Sequence, residues 1–178
     1  MAFIGNQILT LNSLLDLDGQ ELVLDADADT TIHVSTDDQI DFKVAGSDKL
    51  VISSTSHLVT TTAGTSNLVL GENAGNSIAS GGNYNVLIGD EAGTAITTGD
   101  FNVAVGFEAL KTEDANGKNI AIGYQALKVL DAGAEGFNTV IGYQAGVSMN
   151  TGIVNTLIGH QAGDALTDGN NNVAIGHE

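Results

Sequence analysis

A five-residue phrase, asparagine followed by three mostly apolar residues and a glycine, occurs seven times in the second two-thirds of the chain. It constrains the fold more than any other feature. The copies are Asn67 to Gly71, Asn85 to Gly89, Asn102 to Gly106, Asn119 to Gly123, Asn138 to Gly142, Asn155 to Gly159 and Asn172 to Gly176; successive glycines lie 18, 17, 17, 19, 17 and 17 residues apart. A unit of this length cannot enclose a core by itself. It must stack on its neighbours, placing equivalent side chains in columns. Asparagine tolerates left-handed conformations and bonds nearby backbone, and glycine accepts positive φ, so the two suit the ends of a short strand. The expectation is a parallel β-solenoid of seven coils of about 17 residues.

Further regularities divide each coil. Alanine stands three residues after the motif glycine (Ala74, Ala92, Ala109, Ala126, Ala145, Ala162). Seven residues after it comes a second apolar anchor (Ile78, Ile96, Leu130, Met149, Leu166), with Glu113 the exception. Another glycine precedes each motif asparagine by two or three residues, from Gly64 to Gly169. The segment Tyr124 to Leu130 could form one or two helical turns. Four other copies place glycine where this one has Leu127, and glycine within a helix costs roughly 1 kcal/mol relative to alanine. A tight or single-turn corner and a glycine-ended loop are therefore expected after each strand. Within a strand the first and third residues face one way and the middle residue the other, yet both sets are apolar. One set can fill the coil interior. The other needs a second surface, and another copy of the chain supplies it most simply, as a homotrimer about the solenoid axis.

Residues 1–60 lack the repeat and read as a short-stranded β region, while 61–178 form the repeat region. The expected N-terminal strands are Glu21 to Leu24, Thr31 to Val34, Gln39 to Val44 and Lys49 to Ser53. In Ile40 to Val44 apolar and charged residues alternate, which predicts that Ile40, Phe42 and Val44 are buried and that Asp41 and Lys43 are wet.

Composition excludes several functions. The net charge is -17, and all five cations are lysines. Without arginine the chain lacks the planar fork that reads phosphate and guanine, so nucleic acid is not an expected partner. Absence of cysteine removes disulfides, thiolate metal sites and thiol nucleophiles. Residues 50–71 and 136–163 carry no Asp, Glu, Lys or Arg, but polar residues and glycine interrupt them, and no membrane insertion is expected. The opening residues, Met1 to Asn6, lack the basic and long apolar segments of a secretory signal, which suggests assembly in a cytoplasm.

Asp25, Asp27 and Asp29 alternate with alanine, so in an extended chain their carboxylates share a face; this stripe suits either a hard cation such as calcium or, by preference, solvent. His160 and His177 directly follow motif glycines, where other copies have Phe107, Tyr124 and Tyr143. They are therefore expected in a stacked planar column rather than as metal ligands. No catalytic constellation, cofactor site or metal site is assigned.

The segments Asn119-Ile-Ala-Ile-Gly-Tyr-Gln-Ala-Leu127 and Asn138-Thr-Val-Ile-Gly-Tyr-Gln-Ala-Gly146 resemble the tandem repeats of bacteriophage tail-fibre proteins, which often end in an endosialidase-type intramolecular chaperone. Residues 21–30 and 37–46 are similar to the N-terminal part of phage structural proteins, especially marine ones. More distantly, the repeat is similar to the heads of trimeric autotransporter adhesins. The resemblance implies a homotrimeric parallel β-structure of the virion tail, assembled in the host cytoplasm beside other tail proteins and used in attachment to a host surface glycan or protein. A bacterial surface adhesin and a polysaccharide-degrading tailspike are the alternatives. Residues 1–178 contain no segment that resembles such a chaperone. Among the loops, residues 111–118 and 128–135 depart most from the repeat and are the candidates for receptor contact, although no receptor-binding residue is assigned.

Overall fold

The structure, a computed structural model, describes residues 22–33, 40–45, 47–52, 58–60 and 62–178. It is all β and divides into two units, Met1–Leu58 and Val59–Glu178.

In the N-terminal unit, strands β1 (Leu22–Val23), β2 (Thr31–His33), β3 (Ile40–Val44) and β4 (Ser47–Ile52) form an antiparallel meander. Phe42 lies opposite Ile32 on one side and Leu50 on the other, with a register shift after Phe42. Here the expected burial is reversed. Asp41 is fully buried, whereas Ile40 and Val44 are exposed and Phe42 is half-buried. Alternation correctly sorts the residues into two faces, but which face is covered depends on what packs over it, and a strand's own pattern does not encode that.

Strand β5 (Leu58–Thr60) straddles the boundary between the two units. The repeat forms β6 (Leu68–Leu70), β7 (Val86–Ile88), β8 (Val103–Val105), β9 (Ile120–Ile122), β10 (Thr139–Ile141), β11 (Thr156–Ile158) and β12 (Val173–Ile175). These seven strands pair in parallel and in chain order, each residue beside its counterpart in the next copy. The result is the expected β-solenoid. Thr60 Oγ1 caps the free side of β6, accepting from Val69 N–H at 2.9 Å and donating to the Asn67 carbonyl at 3.1 Å.

The motif asparagines from Asn67 to Asn155 are buried, but they work differently from the expectation. Their own φ is not left-handed; the residue before each adopts that conformation, as at Tyr84 (58°), Phe101 (59°) and Phe137 (50°). Their side chains reach along the axis rather than back along the chain. Asn67 Oδ1 accepts from the Asn85 backbone N–H at 2.8 Å, Asn85 does the same for Asn102 at 2.8 Å, and Asn138 for Asn155 at 2.9 Å. The amide nitrogens donate to loop carbonyls, for example Asn85 Nδ2 to Gly99 at 2.9 Å and Asn138 Nδ2 to Gly152 at 3.0 Å. The ladder thus satisfies polar groups that a narrow interior would otherwise leave unpaired.

Each motif glycine has φ between 126° and 144°. A Cβ at any of the six from Gly71 to Gly159 would collide with the backbone of the next motif glycine. Conformation and coil spacing both demand glycine here.

The corner after each strand is a turn rather than a helical segment. Its fourth residue is left-handed in every complete coil: Gly75, Gly93, Gly146 and Gly163, but also Leu110 and Leu127, both at 51°. This explains the recurring glycine better than helix propensity does. Corner size also compensates for strand size. Where the strand centre is Val69, Leu87, Val140 or Leu157 the corner is glycine; where it is Ala104 or Ala121 the corner is leucine. A Cβ at Gly93 would lie 2.8 Å from Leu87 Cδ2, and one at Gly163 would lie 3.0 Å from both Leu157 Cδ atoms. One large side chain per coil fills the same space, and it arrives from either wall.

Candidate interaction face

Numbering the motif asparagine as zero, positions minus one, one, three and five share the parity of the outward side, and the solenoid displays all four as columns. The two central columns are the outer residues of the strands, including Val86, Val103, Ile120 and Thr139 at position one and Ile88, Val105, Ile122 and Ile141 at position three. All of them are half-buried or exposed. The strand centres are instead fully buried from Leu87 to Val140. In the single chain each strand is therefore covered on one face only.

Two planar columns flank this strip. After the motif glycine, Phe107, Tyr124, Tyr143, His160 and His177 stack with ring centroids 5.4, 5.0, 5.3 and 4.6 Å apart and interplanar angles of 16° or less. This is the column anticipated for the histidines. Glu72 and Asp90 begin it. The second column, immediately before the asparagine, escaped the sequence reading: Tyr84 stacks on Phe101 at 5.0 Å, and Lys118 Nζ lies 5.1 Å from the Phe137 ring centre. Its residues are chemically mixed, and only their shared offset from the motif could have revealed them. Several of these rings and side chains are about half exposed, including Tyr84, Phe101, Phe137 and Val154.

The candidate receptor loops are less free than their composition suggests. Lys111 pairs with Glu91 and with Glu108, the latter at 2.7 Å, and Lys128 reaches Glu108 at 2.6 Å. Gln125 Nε2 also donates to Glu108 at 2.7 Å, and Gln144 Nε2 donates to Gln125 at 2.9 Å. The two lysines thus brace successive coils. Lys118, by contrast, makes an exposed pair with Glu135 at 3.3 Å.

The Lys111 ammonium, followed by that of Lys128, holds the Glu108 carboxyl down to about 2. Since the folded-state value lies below the unfolded one, this group stabilises the fold above the ordinary carboxylate range, and its contribution disappears as pH falls from about 4.5 through about 2. Glu113 acts in the opposite direction. It is fully buried at the position of an apolar anchor, and desolvation pushes its carboxyl up. Its oxygens accept from the Asn116 N–H at 3.3 Å and the Ala132 N–H at 3.2 Å. The latter lies in the 19-residue coil, so the carboxylate serves a backbone donor of the enlarged coil. This accounts for the acid among the anchors. We expect Glu108→Gln to lower the melting temperature by a few degrees at pH 7 and to have a much smaller effect at pH 2. Melts of both proteins across that range isolate Glu108, because Glu113 titrates in each.

Two acidic trios occur among the described residues: the exposed Asp25, Asp27 and Asp29, and Glu113 with Asp114 and Asp131. In the first, Asp25 and Asp29 engage Thr30. In the second, Glu113 is occupied by backbone donors. At the last coil a hollow of about 230 Å³ lined by Ala162, Ala174, Ile175, Gly176, His177 and Glu178 exposes the end of the interior layer. No helix is long and apolar enough to cross a membrane among the described residues. Comparison with protein-family models, with curated proteins and with solved structures finds no match to this chain.

Proposed function

We propose that this chain is a structural component of a bacteriophage tail fibre or spike that acts, as a homotrimer, in attachment to the host surface. The observation that carries the proposal is the uncovered outward face of the solenoid: β-branched columns flanked by stacked rings, on a chain of net charge -17. Exposed apolar surface of this extent marks an interaction site. A stiff stack of coils with one self-complementary side suits a fibre shaft better than an enzyme or a monomeric carrier. Trimeric display would present every loop three times, so weak contacts with a surface glycan or protein would add through effective concentration. Antibody raised against the chain should decorate the tails of virions in electron micrographs, and purified protein should compete with phage for adsorption without releasing soluble sugar. Label confined to bacterial envelopes would indicate an adhesin, and released oligosaccharide a hydrolase.

A further inference from the structure

We infer that the partner of the outward face is a second copy of the same chain, set parallel and level by level, with the ring column after the motif glycine of one chain against the column before the asparagine of the next. The inference rests on the homo-oligomeric reading above and specifies its interface. A partner for this face must repeat along the axis at the spacing of adjacent strands, about 4.8 Å. The chain itself has that period. Six strand intervals give a height of about 29 Å and the six-residue span a width of about 20 Å. The face therefore measures about 600 Å² per chain, shared between the two neighbours of a trimer.

Symmetry and charge select the orientation. Rotation about an axis parallel to the solenoid brings each coil to the level of its own counterpart and makes a closed heterologous contact, one flank against the other. At the three middle levels of the seven the facing pairs are then Phe107 with Phe101, Tyr124 with Lys118, and Tyr143 with Phe137. The first and third pair ring with ring. The second places an ammonium beside an aromatic ring, a favourable arrangement when desolvated. A two-fold axis across the solenoid would instead bring like flanks together with coil order reversed, so that Lys118 would oppose Lys118 at the central level. In that arrangement the acids Glu72 and Asp90 would meet His177 and His160 at the ends, while two lysine side chains would face each other at the centre.

The chain has no cysteine of its own, so engineered disulfides report the arrangement directly. The variant Phe101→Cys/Phe107→Cys places its thiols at opposite edges of one coil, too far apart to bridge within a chain. Under mild oxidation most of it should migrate as covalent trimer, and Tyr124→Cys alone should remain unlinked. Sedimentation of the unmodified protein provides the second readout. An assembly in which Phe101→Cys/Phe107→Cys fails to link, or in which Tyr124→Cys yields covalent dimer, overturns the parallel register but preserves self-association. A monomer at micromolar concentration overturns both. Circular dichroism confirms that each variant retains the β signal of the parent.

Discussion

Gly123→Val is expected to abolish the cooperative melt of the repeat unit or to lower its stability by about 4 kcal/mol or more, combining the cost of a disfavoured backbone region with a steric clash. Gly123 has φ of 135°, and a Cβ there would run into the carbonyl of Gly142 and lie 3.2 Å from the Tyr143 nitrogen. The coils cannot part to make room. Gly123 N–H donates to the Val105 carbonyl at 2.8 Å and Gly142 N–H to the Ile122 carbonyl at 2.7 Å, so any separation breaks the ladder on both sides. Gly133→Ala separates the two causes. Gly133 is also left-handed, at 63°, but a Cβ there would meet nothing within 4 Å, and its substitution should cost only about 1 kcal/mol. Thermal melts of the two variants followed by circular dichroism make the comparison; equal losses would show that coil spacing is not the constraint.

Leu157→Ala should destabilise the unit by about 3–5 kcal/mol, and adding Gly163→Leu should restore more than half of that loss. Leu157 is 1 % exposed, and truncating it leaves a void in an interior one residue thick. The three atoms nearest to a Cβ at Gly163 all belong to Leu157, so the first substitution clears space that the second fills. Leucine at a left-handed corner already occurs at Leu110 and Leu127 opposite Ala104 and Ala121, and its backbone cost is about 1 kcal/mol. Gly163→Leu alone should overpack and destabilise by about 1–3 kcal/mol. The double-mutant cycle therefore has a large favourable coupling. Additive losses in urea-unfolding midpoints would show that the two positions do not share one volume.

Both predictions draw on the relation between coils, and that relation separates what was legible from what was not. The sequence by itself determined the solenoid, the three-residue strand, the regular alanine and aliphatic columns and the membership of His160 and His177 in one planar column with Tyr143. Each follows from a single offset read down a repeat of constant period, because parallel in-register strands place equal offsets in contact. The tertiary structure decided where each polar group found its partner. Asn85 bonds the next coil rather than its own loop, Lys128 reaches back to Glu108 in the coil before, and Glu113 supplies an acceptor to the enlarged coil. These partners lie 17 to 20 positions away along the chain, and translation along the axis, not local preference, brings them together. The substitution of leucine for glycine at the corners was visible as letters. Its cause, a left-handed turn sharing volume with the strand centre, required backbone angles and interatomic distances. In the N-terminal sheet the alternation of Ile40 to Val44 sorted residues into two faces, but the burial of Asp41 instead of Ile40 was set by what covers the sheet, because side-chain period defines sides of a strand and only packing distinguishes inside from outside.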